Sequence, residues 1–210
     1  MNTINQLSED QRDCLQEIVN VAMGQAGDSL ARLLEVFVTL SVPKIKILGP
    51  AEVRTALRCF VDTEFVSAIR QSFHDSKGKD SLRGEAIVVF GDSSFQELAE
   101  LLHYDDEQLS AEAEQELLLD ISNVLNGACL TGVADQLGEE LIYSPPSILG
   151  LKVPIETLFE QDKVQWETAL SVEINYSLEK RSFNCDLLLL MPDTAIVYLA
   201  KKLDAFLDDM

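Results

Sequence analysis

Two stretches of the chain, DCLQEIVNVAMG at 13–24 and ELLLDISNVLNG at 116–127, carry the same polar row at the same intervals. The first row is Asp13, Glu17, Asn20 and Gly24, and the second is Glu116, Asp120, Asn123 and Gly127. A carboxamide donates and accepts hydrogen bonds together, so it can orient a water for in-line attack without acid–base work. A carboxylate three residues away can pair with a lysine or arginine of another molecule. Neither group is a good nucleophile here. The chain offers no Ser-His-Asp arrangement and no Gly-rich phosphate loop. Its two histidines, His74 and His103, are far apart in sequence, which argues against a histidine-rich metal site. Such a row could complete an active site residing mainly in another protein.

Helical geometry positions the rows. At about 100° per residue, Leu15, Ile18, Ala22 and Ala26 form one apolar stripe, and the first polar row falls opposite it. Leu118, Ile121, Leu125 and Cys129 do the same for the second row. Residues three and four apart on a helix have Cβ atoms roughly 5–6 Å apart, so each carboxylate stands beside its amide. A helix-interior glycine costs about 1 kcal/mol relative to Ala. Its use one turn on points to close approach by something, either a neighbouring helix or a partner backbone. For a single row the plainer reading is strong, because any surface helix needs polar residues opposite its apolar stripe. Repetition weakens that reading, although a duplicated gene also inherits its surface residues.

The duplication extends beyond the rows. At an offset of 103 residues Ile18 meets Ile121, Asn20 meets Asn123, Gly24 meets Gly127 and Leu34 meets Leu137. Ser41 and Pro43 meet Ser144 and Pro146. Later, GEAIVVFGDSSFQELAELLH at 84–103 parallels NCDLLLLMPDTAIVYLAKKL at 184–203: an apolar strand, a turn, an Asp in helix-cap position and an apolar-periodic helix. Alternation in ALSVEINYSL reads as a half-exposed strand, and FHDSKGKDSLRG as a hairpin turn or loop. Each half, approximately 8–103 and 111–204, thus reads as helix, strand, strand, strand, helix. Such a half cannot easily bury both faces of its sheet alone, but two can share one core. The expectation is a single α/β domain over 1–210, with a pseudo-two-fold internal repeat and a mixed sheet packed with helices.

Composition narrows the partners. With 36 acidic and 16 basic residues the formal charge is −20, a field that disfavours nucleic acid and anionic membranes and suits a basic patch. Solubility alone could also account for it. Cys14, Cys59, Cys129 and Cys185 have no metal or redox spacing and lie among apolar neighbours, as buried thiols in a reducing compartment would. The start, MNTINQLSEDQ, lacks the features of a signal peptide, and no apolar run approaches the roughly 20 residues of a membrane helix. A cytoplasmic protein without membrane insertion is expected.

The rows and their spacing resemble the signature of the CheC, CheX and FliY chemotaxis phosphatase family. That signature is Asp or Ser, three residues, Glu, two residues, Asn, then 22 residues and Pro. Asp13, Glu17, Asn20 and Pro43 match it fully; in the second half Glu116 and Asp120 are substitutions, while Asn123 and Pro146 keep their spacing. The resemblance implies a CheC-like fold and hydrolysis of the phospho-aspartate of a CheY-type response regulator. The receiver supplies the phosphoryl group and Mg2+, and this chain binds no cofactor of its own. Asn20 would orient water and Glu17 would meet the receiver lysine, with Asn123 and Asp120 in those roles at a second site. Asp120 is one methylene shorter than Glu, and the sequence leaves open whether that site is active, weaker or only a docking surface. Two sites in one chain are most like CheC; CheX-like members generally have one active motif, and FliY-like members carry additional flagellar-switch segments. Some CheC proteins bind the deamidase CheD, a further possible partner. The competing reading is a non-catalytic module that binds a response regulator or a flagellar or chemotaxis protein.

Overall fold

The computed structural model describes residues 7–49, 52, 64–75, 81–105, 110–158 and 169–208. In chain order the elements are α1 (Glu9–Leu34), β1 (Val38–Leu40), β2 (Lys44–Leu48), β3 (Phe65–Asp75), β4 (Arg83–Gly91) and α2 (Ser94–Leu101). There follow α3 (Ala111–Leu137), β5 (Leu141–Tyr143), β6 (Ser147–Pro154), a 3-10 turn (Ile155–Thr157), β7 (Ala169–Leu178), β8 (Asn184–Pro192) and α4 (Asp193–Asp208). The result is a single α/β unit. Cys59 and the middle of the FHDSKGKDSLRG loop lie outside the described residues.

Local chemistry sets the ends of the two long helices. Ser8 and Gln11 form a reciprocal capping box at the start of α1. Ser110 accepts from the Ala113 N–H at the start of α3. At the far ends the halves differ. Gly138 closes α3 in the left-handed region, where a glycine is unstrained. Its counterpart after α1 is Glu35, held at φ 53°. The expected Asp caps at 92 and 193 are not separate caps. Asp92 lies in the turn before Ser93, and Asp193 is already the first residue of α4. β8 runs into α4 with no intervening loop, so no position outside that helix is left for it.

The described strands form an eight-stranded sheet in the order β1-β7-β8-β4-β3-β5, with β2 also on β7 and β6 also on β3. The halves therefore exchange strands: β1 and β2 complete the edge of the second half, and β5 and β6 that of the first. The registers obey the repeat. Val38 pairs with Leu178, and the residues 103 positions on from Val38 and 103 back from Leu178, Leu141 and Asp75, pair with each other. In the central pair Ile87 faces Leu188, its own counterpart at an offset of 101, so the pseudo-dyad passes there. An axis normal to the sheet reverses strand direction, so β4 and β8 run antiparallel. The other described pairs are antiparallel too, and the expected mixed sheet has no parallel pair among them.

The main core lies between the sheet and the helices. It contains Leu15, Ile18, Ala22 and Ala26 of α1 and Leu118, Ile121, Leu125 and Cys129 of α3, together with Phe73, Phe90 and Tyr176. A smaller core covers the opposite sheet face with Ile87, Val89, Leu188, Leu190, Ile155 and Leu158. Burial on both faces alters the reading of ALSVEINYSL. It is a strand, but not a half-exposed one: Ser171 and Glu173 are buried, and Glu173 lies 3.3 Å from Lys46 of the adjacent β2. α3 is long and apolar enough, by length and composition, to cross a membrane, although no single apolar run was long enough to suggest it. Here its apolar stripe is buried in the shared core.

Candidate functional site

α1 and α3 pack directly against each other. At their contact a Cβ on Gly132 would stand 2.9 Å from both Cα and Cβ of Ala22, so that glycine is required by the close helix approach. The polar rows point elsewhere. Asp13, Glu17 and Asn20 are exposed, as are Glu116, Asp120 and Asn123. No hydrogen bond or ion pair ties any of these six side chains to another described residue. The structure thus brings the two rows onto adjacent, symmetry-related helices with their functional groups unengaged.

The rows carry costs without visible return among the described residues. Asp13–Glu17 and Glu116–Asp120 are like-charge i,i+4 pairs, each unfavourable by about 0.2–0.5 kcal/mol when exposed. Gly24 and Gly127 add about 1 kcal/mol each in helix propensity. Unlike Gly132, neither is required by a neighbour: among the described residues nothing lies within 4 Å of a Cβ built on either. Of the two explanations for these glycines, close approach by a neighbouring helix finds no support among the described residues. An approach from outside remains.

A valine follows each Asn of the rows. Val21, next to Asn20, is 46% exposed, and Val124 is half-buried in the equivalent place. An apolar residue repeated just off the buried stripe is the sequence signal for this apolar rim. The signature prolines lie outside the two helices. Pro43 is buried and Pro146 half-buried, each at the entry to an exchanged strand. Just before them, Ser41 Oγ accepts from the Asn175 N–H at 3.1 Å and Ser144 Oγ from the Ser72 N–H at 3.0 Å. The repeated serine thus ties the start of each exchanged strand to its neighbour, which gives the duplication of Ser41 and Ser144 a structural cause.

The described cysteines, Cys14, Cys129 and Cys185, are free, buried thiols. Burial pushes the Cys129 thiol up to about 12 and the Cys185 thiol well above its ordinary value. No group of three His, Cys, Asp or Glu among the described residues could hold a metal ion. Beside the first row, a cleft of about 860 Å³ is lined by Asp10, Asp13, Cys14, Gln16, Glu17, Phe206 and Leu207. The last turns of α4 reach this place because Gln11 of α1 donates to the Ala200 carbonyl and to Asp204 Oδ1, at 3.3 and 2.7 Å.

No family model matches the chain. Solved structures do share its fold. Thermotoga maritima FliY is 18% identical, with a TM-score of 0.68 over 97% of this chain and 98% of that one. The FliM middle domain from H. pylori is 7% identical, with a TM-score of 0.60 over 93% and 99%. The chemotaxis protein CheX from Desulfovibrio desulfuricans is 13% identical, with a TM-score of 0.54 over 82% and 99%. The class of architecture is therefore that of the FliY, FliM and CheX chains, and the CheC-like fold expected from the signature is present. At these identities the likeness concerns the fold, and it does not select a two-site CheC over the other members.

Proposed function

We propose that the protein is a phosphatase that hydrolyses the phospho-aspartate of a CheY-type response regulator. The observation that carries this reading is the duplicated, exposed and unengaged Glu/Asp–Asn row with a bare glycine one turn on. In this reading Glu17 meets the receiver lysine through a charge-assisted contact, which sets the register of the two proteins. The Asn20 carboxamide, one helical turn away, accepts from the attacking water and holds its oxygen in line with phosphorus. The water oxygen–phosphorus bond forms, the phosphorus–carboxylate bond breaks, and the aspartate leaves as its carboxylate with inorganic phosphate as the other product. The Mg2+ ion that offsets charge on the phosphoryl oxygens belongs to the receiver. Positioning and electrostatics dominate phosphoryl transfer, so an amide and a carboxylate suffice as this chain's contribution. Asn123 and Asp120 take the same parts at the second row.

A second reading is a non-catalytic module that binds a response regulator or a flagellar protein. The likeness to a FliM middle domain supports it, because the fold accommodates more than one role. Both rows retain Asn, which a mere docking face does not need. Incubation with a radiolabelled phosphorylated receiver separates the readings. Phosphate release faster than from the receiver alone supports the phosphatase; binding without acceleration supports the module.

A further inference from the structure

We infer that the cleft between the first turns of α1 and the last turns of α4 docks a short cationic, amphipathic segment of the phosphorylated receiver protein, and that this anchor serves the first row alone. The inference rests on the phosphatase reading and specifies its partner surface. Cys14, Phe206 and Leu207 supply apolar walls, while Asp10, Asp13 and Glu17 supply three carboxylates. No lysine or arginine is among the lining residues, so the complementary occupant is an apolar side chain flanked by lysine or arginine. Asp13 and Glu17 line the cleft and also belong to the polar row, which makes anchor and row one continuous surface.

The halves differ here. α4 spans 16 residues and α2 only 8. At the offset that aligns β4 with β8, the chain reads Asp105-Asp106 where α4 reads Phe206-Leu207. On the α1 side of the cleft, Asp10 and Gln16 give way to Ala113 and Leu119 on α3. By sequence, therefore, the second row has acids where the first has the apolar wall residues Phe206 and Leu207, and an alanine where the first has Asp10. Two similar rows then differ in affinity for one partner while presenting the same amide.

The test uses Leu207→Gln and, separately, Asp10→Asn, with melting curves to confirm folding. Phosphate release is measured against concentration of the phosphorylated receiver, and binding is measured with the magnesium- and beryllofluoride-loaded receiver. Leu207→Gln should raise KM and Kd roughly tenfold with kcat unchanged, from loss of one apolar anchor. Asp10→Asn should raise both severalfold, and less so at high salt. In an Asn20→Ala background, the activity left to the second row should not respond to Leu207→Gln. Unchanged KM and Kd in both cleft variants overturn the anchor while leaving the phosphatase reading standing. Leu207-dependent binding without hydrolysis by the wild type supports the anchor and overturns the phosphatase reading. A wild type that neither binds nor hydrolyses overturns both.

Discussion

Replacing Gly24 or Gly127 by Ala should strengthen the protein and weaken its function. Both glycines are interior to long helices, and a Cβ at either meets no described atom within 4 Å. Each substitution should therefore stabilise the fold by about 1 kcal/mol through helix propensity. In a chain of this size that raises Tm by roughly 2–4 °C. If a partner backbone comes against the bare turn, the new methyl displaces it on the scale of an ångström. Misplacement of that size in a reaction governed by positioning can cost about 100-fold in rate. Gly132→Ala is the control of opposite sign: its methyl would collide with Ala22, so stability should fall by about 1–3 kcal/mol. Urea unfolding gives the stabilities, and phosphate release from a phosphorylated receiver gives the activities. A double Gly24→Ala/Gly127→Ala protein that is more stable yet fully active would refute the argument that these glycines admit a partner. Lower stability in either single variant would refute the open space around it.

Three further outcomes follow from particular residues. With the first row disabled by Asn20→Ala, Asp120→Glu should leave hydrolysis unchanged or raise it, because the added methylene extends the second carboxylate towards the same lysine; a sharp fall with folding intact would mean that Asp120 is fitted to its own geometry. Glu35→Gly should stabilise the fold by about 1 kcal/mol, since Glu35 ends α1 at φ 53° where its counterpart is Gly138, and chemical denaturation checks it. Glu173 titrates above its ordinary 4.5 because burial outweighs the opposing Lys46 and Lys44 charges. A raised carboxyl favours folding below that ordinary value, and its contribution is lost as pH rises through the folded-state pKa. Glu173→Gln should therefore gain stability relative to the wild type on going from pH 4 to pH 7; a larger deficit at pH 7 would show that the Lys46 pair outweighs burial.

Periodicity made the two polar-row helices legible, because an α-helix buries one stripe and the residues opposite must face outward. Leu15, Ile18, Ala22 and Ala26 are buried, and Asp13, Glu17 and Asn20 are exposed, as the 3.6-residue repeat requires. The repeat also revealed two equivalent halves. It could not reveal that they exchange strands, because β1, β2, β5 and β6 choose partners distant in sequence and no local pattern encodes that choice. The same exchange explains why Ser171 and Glu173 of ALSVEINYSL are buried: β2 lies beside β7, and Lys46 comes to Glu173. Ser41 and Pro43 stood out by repetition, but repetition alone does not separate a strand-entry clamp from a site residue. The cleft beside the first row was hidden for another reason. It joins Asp13 and Glu17 to Phe206 and Leu207 at the opposite end of the chain, and only packing of α4 on α1 brings them together.

The central claim is that two exposed amides position the attacking water. Its most direct test is phosphate release from a phosphorylated receiver with the wild type, Asn20→Ala, Asn123→Ala and the double variant, each checked for intact folding. Both side chains are exposed and neither hydrogen-bonds to another described residue, so unfolding should not intervene. Asn20→Ala should slow hydrolysis strongly, Asn123→Ala should slow it in proportion to the share carried by the second row, and the double variant should match spontaneous dephosphorylation of the receiver. A folded double variant that hydrolyses as fast as the wild type would contradict the account.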